Sequence, residues 1–303
     1  MSLLHRTASL SAAFLVVSAL LVGCGNGGGQ PGDDGSFDAD RAFGDLTTQL
    51  EFGPRPSGSE ANRQVGRYLL GQLRAAGAVD TAIQHPWRNV LATIPGTGGG
   101  PPRLIIGAHY DTKDLPGAGF GGGFLGANDG ASGVAVILEL ARALADSDRA
   151  PSVQLVLFDA EEARGDRAFE ADGTRGSRQF VAAMSPARRR HTEAMILFDM
   201  VGDCGLEIPY ESNSDRRLYR RFAAAAAPAP FVGQTLPISD DHLPFLHAGI
   251  PALDLIDFSY GGPEAPGPYW HTTADTVDKV CPDSLDQVGE AAIAVIESWG
   301  EGG

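Results

Sequence analysis

Acids and histidines recur in this chain where apolar runs stop. Arg103–His109 closes in His109-Tyr110-Asp111, Val153–Phe158 leads into Asp159-Ala160-Glu161-Glu162, and Ala194–Phe198 is followed by Asp199. Two more segments carry the same side-chain types: Gly126-Ala127-Asn128-Asp129, just ahead of a helical pattern, and Trp270-His271-Thr272. Carboxylates gathered in one place repel one another and raise each other's pKa unless a cation joins them, so a divalent metal is the economical reading. Asp129, Glu162 and His271 supply two carboxylates and an imidazole, and three N/O ligands with an open fourth position describe a catalytic zinc site. Taken alone, Asp129 would more simply cap the helix that follows it. Gly117-Ala118-Gly119-Phe120-Gly121-Gly122 satisfies GxGxxG, but it neither directly follows a strand nor opens a periodic helix, so it reads as a flexible loop at a pocket rim. The chain has no GxSxG elbow after a strand, which argues against a serine hydrolase.

Bringing these segments together requires a sheet whose strands end at one edge. Phe43, Leu46 and Leu50 mark a first helical face, and Ser59 caps a second helix with Val65, Leu69 and Leu73 on its stripe. A strand follows at Asn89–Ile94. Strands at Arg103–His109, Val153–Phe158, Ala194–Phe198 and Pro251–Ile256 then alternate with helices at Val134–Leu144 and Ser177–Met184, and a helix over Ser284–Trp299 closes the chain. That alternation predicts an α/β fold with a mixed, largely parallel central sheet and helices on both faces. In such sheets ligands bind outside the carboxyl ends of the strands, which is where the acids fall.

Composition narrows the setting. Arg6, the apolar run Ala12–Leu21 and small residues ending at Cys24 read as an export signal, with Leu21-Val22-Gly23-Cys24 similar to a bacterial lipobox. The run is shorter than the roughly 20 residues a spanning helix needs. The expected organisation is a signal over 1–23, a Gly-rich tether over 24–36 and one enzyme domain over 37–303. The protein is then expected to be exported and lipid-anchored through Cys24 at the bacterial cell envelope, the alternative being an ordinary cleaved signal in which Cys24 falls by chance. A net charge of −15 disfavours nucleic acid, and Arg188-Arg189-Arg190 reads as a solvated helix end. Cys204 and Cys281 could pair in such a compartment, but their spacing does not say whether they do. His85, His191 and His247 have no matching partner in the pattern and read as surface or structural residues.

In order along the chain, Phe52-Gly53-Pro54-Arg55-Pro56-Ser57-Gly58-Ser59, Ala108–Asp111, Gly126–Asp129, Phe158–Glu162, Gly176-Ser177-Arg178, Phe198-Asp199-Met200-Val201-Gly202, Ser239–Phe245 and Trp270–Thr272 resemble the M28 metallopeptidase superfamily. Within it they resemble the glutaminyl-peptide cyclotransferases. The resemblance runs from about Phe52 to Leu285 and implies a zinc-aminopeptidase-like fold. Superfamily aminopeptidases hold two zinc ions on positions matching His109, Asp129, Glu162, Asp199 and His271. Cyclotransferases keep one, on the equivalents of Asp129, Glu162 and His271. The doubled acid Asp240-Asp241 before His242, Trp270 ahead of His271, and the insert Ala163–Arg175 are similar to the cyclotransferase branch. The insert lacks the Trp that animal members carry there, and Phe169 is expected to take its place.

On that resemblance the substrate is a peptide or protein N-terminus. Its N-terminal glutamine would close to pyroglutamate with loss of ammonia, and one zinc would polarise the side-chain amide. Glu161 would carry the proton from the attacking amine to the leaving nitrogen. Asp199 and Asp240 would form a short acid pair that shares a proton and orients the amine. Trp270 and Phe169 would line the substrate wall, and His242 would either join them or be a core residue at the turn before Leu243-Pro244. The alternative is a di-zinc aminopeptidase, in which Glu161 would deprotonate the attacking water and His109 with Asp199 would hold the second ion. A non-catalytic peptide-binding lipoprotein on the same fold would be expected to lose Glu161 or a ligand, and none is lost.

Overall fold

The structure, a computed structural model, describes residues 36–115, 123–148, 150–226 and 230–299. The signal segment with Cys24, the tether apart from Ser36, and Gly117–Gly122 lie outside them. Two helices open the fold, α1 (Ala39–Glu51) and α2 (Glu60–Ala75). Asp38 and Ser59 cap them, their side chains accepting from the Arg41 and Asn62 N–H groups. Strands β1 (Val79–Ile83), β2 (Val90–Ile94) and β3 (Leu104–His109) follow, then α3 (Ala131–Asp146) and β4 (Val153–Phe158). The chain continues through α4 (Phe169–Asp172), α5 (Arg175–Ala183), α6 (Pro186–His191), β5 (Ala194–Asp199) and β6 (Ile208–Glu211). It ends through α7 (Arg216–Ala225), β7 (Phe231–Leu236), α8 (Leu243–His247), β8 (Ala252–Ile256) and α9 (Pro282–Glu297).

Six strands make the central sheet in the order β1-β2-β4-β3-β5-β8. β4, β3, β5 and β8 run parallel, while β2 joins β4, and β1 joins β2, antiparallel. The mixed, largely parallel sheet is the expected one; β1 and the separate β6-β7 pair were not legible in the sequence. Side chains of the central strands alternate between two cores. Ile106, Leu155, Ile196 and Phe198 pack under α1, α2, α3, α7 and α9, whereas Ile105, Val156, Phe158, Met195 and Leu197 pack under α5 and α8. Burial on both faces is why these runs read as almost continuously apolar.

Register decides where the chemistry lands. His109 lies beside Phe158, and Gly107 beside Leu197, so β3, β4 and β5 run out at the same level. The loops leaving them therefore start side by side. α3 presses close to β5 at Gly133, where a Cβ would lie 2.1 Å from the Phe198 carbonyl oxygen. Cys204, beyond β5, is joined by a disulfide to Cys281 at the start of α9, which settles the pairing the spacing left open. Closing a loop of 77 residues is worth about 4 kcal/mol on the chain-entropy account.

Candidate active site

Three left-handed, non-glycine residues sit at the strand exits and in the loop before α9. They are Ala160 (φ 61°) before Glu161, Met200 (φ 48°) after Asp199, and His271 itself (φ 52°). Each such conformation costs on the order of 1–3 kcal/mol and persists only where its surroundings over-determine it, as at functional sites. Here they turn acids and an imidazole into one space. Asp129, Glu162 and His271 bring ligand atoms within 4.8 Å of one another. His271 Nε2 lies 2.9 Å from Glu162 Oε1 and 3.4 Å from Asp129 Oδ2. Asp129 does not act as the helix cap, since the cap of α3 is Gly130, with no side-chain hydrogen bond. Gly130 has φ 119°, and a Cβ there would sit 2.8 Å from His109 Cε1, so glycine is required for the loop to pass the imidazole.

A cation fits this constellation. Asp129 Oδ2 and Glu162 Oε2 are buried with no hydrogen-bond partner, although Lys113 Nζ stands 3.6 Å from the latter. Orphaned buried carboxylate oxygens facing an imidazole are costly unless a metal or a proton lies between them. The same logic governs His109. Its Nδ1 donates to the Asp111 carbonyl oxygen at 3.0 Å, which turns Nε2 toward Asp129 Oδ1 and Asp199 Oδ1, each 3.2 Å away. A proton on Nε2, or a second ion, satisfies that geometry. Burial would make His109 harder to protonate, but Asp199, Asp111 and Asp129 together hold its pKa well above the ordinary value.

The supporting residues are as informative as the ligands. Asp111 orients His109 mainly through its backbone carbonyl; its carboxylate accepts from the Glu161 and Glu162 N–H groups at 3.1 and 3.3 Å. Asp275, which the sequence reading passed over, accepts from the Asn128 and Asp129 N–H groups at 2.8 and 3.0 Å and from the Tyr260 hydroxyl at 2.7 Å. It lies four residues past His271, just beyond Trp270-His271-Thr272, and that closeness was the available signal. Arg55, wholly buried, donates to the Leu125 and Gly126 carbonyls ahead of Asp129. The Phe52–Ser59 motif thus braces the metal loop from behind.

A cavity of about 360 Å³ opens over these groups, and Glu161, Asp199, Asp240, Phe169 and Trp270 all line it. Burial, with the charges of Glu162, Asp241 and Asp111, drives the Glu161 pKa well up against the opposing pull of His109. Asp240 is likewise pushed well above the usual carboxylate range, by burial first and then by Asp254, Asp199 and Glu161. Its Oδ1 accepts from the Asp241 N–H at 2.5 Å and its Oδ2 is buried without a partner. Asp199 faces the same cavity, but its side-chain hydrogen bond runs to His109 rather than to Asp240. Trp270 stacks on His271 at 3.8 Å between ring centroids and meets Phe258 edge-on. Phe169 sits on α4, inside an insert ordered by Asp172, which pairs with Arg164, Arg167 and Arg175.

Of the two places open to His242, the structure takes the core and not the substrate wall: it is fully buried, with Nε2 3.1 Å from Glu211 Oε2 and Nδ1 3.6 Å from Asp254 Oδ2. It follows the doubled acid in sequence, but the turn into α8 aims it under the sheet edge instead of into the cavity.

These buried acids set a pH profile. Burial raises Asp159 to about 6 and Asp257 and Asp275 to about 7. Their folded pKa values exceed the unfolded value of about 3.9, so the stability they confer is fully present below pH ~4 and is lost as pH rises through 6 to 7. Glu211 behaves oppositely. Burial works against ionisation, but the hydrogen bonds from His242 and the Asn213 N–H hold it at about 2, so its contribution is lost as pH falls from about 4 toward 2. Thermal unfolding of the metal-free protein should therefore show its highest midpoint near pH 4–5, declining toward pH 7.5. A midpoint that rises across that upper range would contradict the assignment.

Comparison with known proteins bears on the same residues. The model of peptidase family M28 matches residues 89–296. The chain is 28% identical to the glutaminyl-peptide cyclotransferase of Bothrops jararaca, over 80% of this chain and 75% of that protein. Porphyromonas gingivalis glutaminyl cyclase superposes with a TM-score of 0.76 at 31% identity, covering 86% of this chain and 98% of that one. A leucine aminopeptidase precursor from Bacteroides thetaiotaomicron VPI-5482 superposes with a TM-score of 0.74 at 28% identity, covering 86% and 97%. All the strand-end acids and His271 fall within the matched span.

Proposed function

The chain belongs to peptidase family M28, and from that premise we propose that it is a zinc-dependent glutaminyl-peptide cyclotransferase, closing the N-terminal glutamine of peptides to pyroglutamate. The observation that carries this reading is the pairing of a three-ligand site with two further buried acids on one cavity wall. Asp129, Glu162 and His271 would hold the zinc, while Glu161 and Asp240, both buried and both raised, face the space beside it. Zinc bound there would polarise the side-chain amide oxygen of the substrate as a Lewis acid.

The rest is done by the protein. The α-amine nitrogen bonds to the side-chain amide carbon, and the bond from that carbon to the amide nitrogen breaks. Glu161 takes a proton from the amine and returns one to the departing nitrogen, which leaves as ammonia. Asp240 orients the amine, with Asp199 tied to His109 behind it. Trp270 and Phe169 pack on the side chain of the glutamine and exclude water from the ring closure. Export and attachment through Cys24 complete the reading. The Cys204–Cys281 disulfide supports it, because such bonds persist outside the cytosol.

One observation favours the aminopeptidase alternative: His109, Asp129 and Asp199 also bring ligand atoms within 4.8 Å of one another. Metal content separates the two. One tightly held zinc per chain is expected, with ammonia released from a glutaminyl dipeptide and little amine from a leucyl anilide. Two zincs at full occupancy, with anilide cleavage and no ammonia, would establish the peptidase instead.

A further inference from the structure

Beside the metal cavity lies a larger hollow of about 600 Å³. The two adjoin, sharing Phe169, Glu170, Ser239 and Asp240 in their walls. Val181 and Ala182 of α5 and Leu243 and Pro244 of α8 give the hollow an apolar lining. Arg178 and Arg189 line it too, against a protein whose net charge is −15. Each arginine spends one nitrogen on a backbone carbonyl, Arg178 on Glu170 and Arg189 on Val181, both at 2.9 Å. The Nε of Arg189 is buried with no partner.

The following step rests on the cyclotransferase reading. The substrate amine and the carbonyl that leads to the second residue share one carbon, each a single bond of about 1.5 Å away. The acid that holds the amine therefore marks where the peptide leaves the metal cavity. Asp240 is that acid, and it forms part of the wall between the two spaces.

We propose that this hollow binds the second and third residues of the substrate. The second packs on the apolar lining, and Arg178 and Arg189 take a carboxylate, to which a guanidinium offers a matched, charge-assisted fork. That carboxylate is either an acidic side chain at the third residue or the free C-terminus of a short peptide.

The test compares kcat/KM for ammonia release from Gln-Leu-Glu amide, Gln-Leu-Gln amide, Gln-Leu-Gln with a free C-terminus, Gln-Ser-Glu amide and glutaminyl anilide. The acidic amide should exceed the neutral amide by about five- to tenfold. A matching gain for the free acid assigns the site to the C-terminus as well as to the side chain. Serine at the second position should cost about tenfold, the loss of one buried aliphatic side chain. In Arg178→Glu the order of the acidic and neutral amides should reverse. Arg189→Gln, which removes the guanidinium, should abolish the preference, and a thermal midpoint close to that of the wild type shows that the variant is folded. Equal rates for acidic and neutral peptides, unmoved by Arg178→Glu, would overturn the proposal. Absence of ammonia from every glutaminyl compound would instead remove the cyclotransferase reading. The hollow is then read by calorimetric binding of the same peptides, where Arg178→Glu must still weaken the acidic one selectively.

Discussion

Glu161→Gln should retain its zinc and lose about 10²–10⁴-fold in turnover, the usual worth of a positioned proton carrier. The substitution keeps the shape of the side chain and its place on the cavity wall but removes the group that can accept and return a proton. The residue next to it should respond differently. Glu162→Gln takes a charged oxygen from a set whose Asp129 Oδ2 and Glu162 Oε2 are already orphaned, so metal affinity should fall and activity should follow it. The two are adjacent in sequence, yet the left-handed turn at Ala160 and the Asp111 carboxylate beneath both N–H groups give them separate tasks. Metal analysis of the purified variants beside ammonia-release rates checks this. Equal zinc loss from both would show that the division of labour is wrong.

Asp240→Asn should keep its zinc and lose cyclisation of glutaminyl peptides by about 10²-fold or more, because misorienting an intramolecular nucleophile forfeits much of the advantage of holding it. Asp240 is buried, burial and Asp254 push its pKa well up, and its Oδ2 has no partner, so on the cyclotransferase reading that oxygen is open to orient the amine. Asparagine preserves the acceptor to the Asp241 N–H and fills the same volume, but it cannot take up or release a proton. An aminopeptidase, whose nucleophile is water, has less need of this acid and should tolerate the change. Wild-type protein that cleaves leucyl anilide, ignores the glutaminyl peptide and is unchanged by Asp240→Asn would reverse the assignment.

Much of the scaffold was legible because its determinants are local. The almost continuously apolar runs of β3, β4 and β5, the Ser59 cap and the stripe of α2 are each specified within a few residues. β1 was not: its Val79–Ile83 carries no apolar alternation and lies largely exposed at the sheet edge, so pairing with β2 rather than its own pattern makes it a strand. β6, β7 and the short α8 escaped for a similar reason, being stabilised by what they pack against.

For the site, the sequence by itself determined the inventory: acids at the ends of three apolar runs, Asp129 before a helix, and His271 in its Trp-His-Thr context. The tertiary structure decided which of them meet. The shared level of β3, β4 and β5 brought Glu162 near Asp129 and His271, and Glu161 and Asp240 onto one wall. It also tied Asp199 to His109, drew His242 away to Glu211, and recruited Arg55 and Asp275 to brace the metal loop. None of these pairings could be read from spacing. The partners are separated by tens to more than a hundred residues, and the direction of each side chain depends on strand register and on a few left-handed backbone turns that appear only when the sheet is assembled.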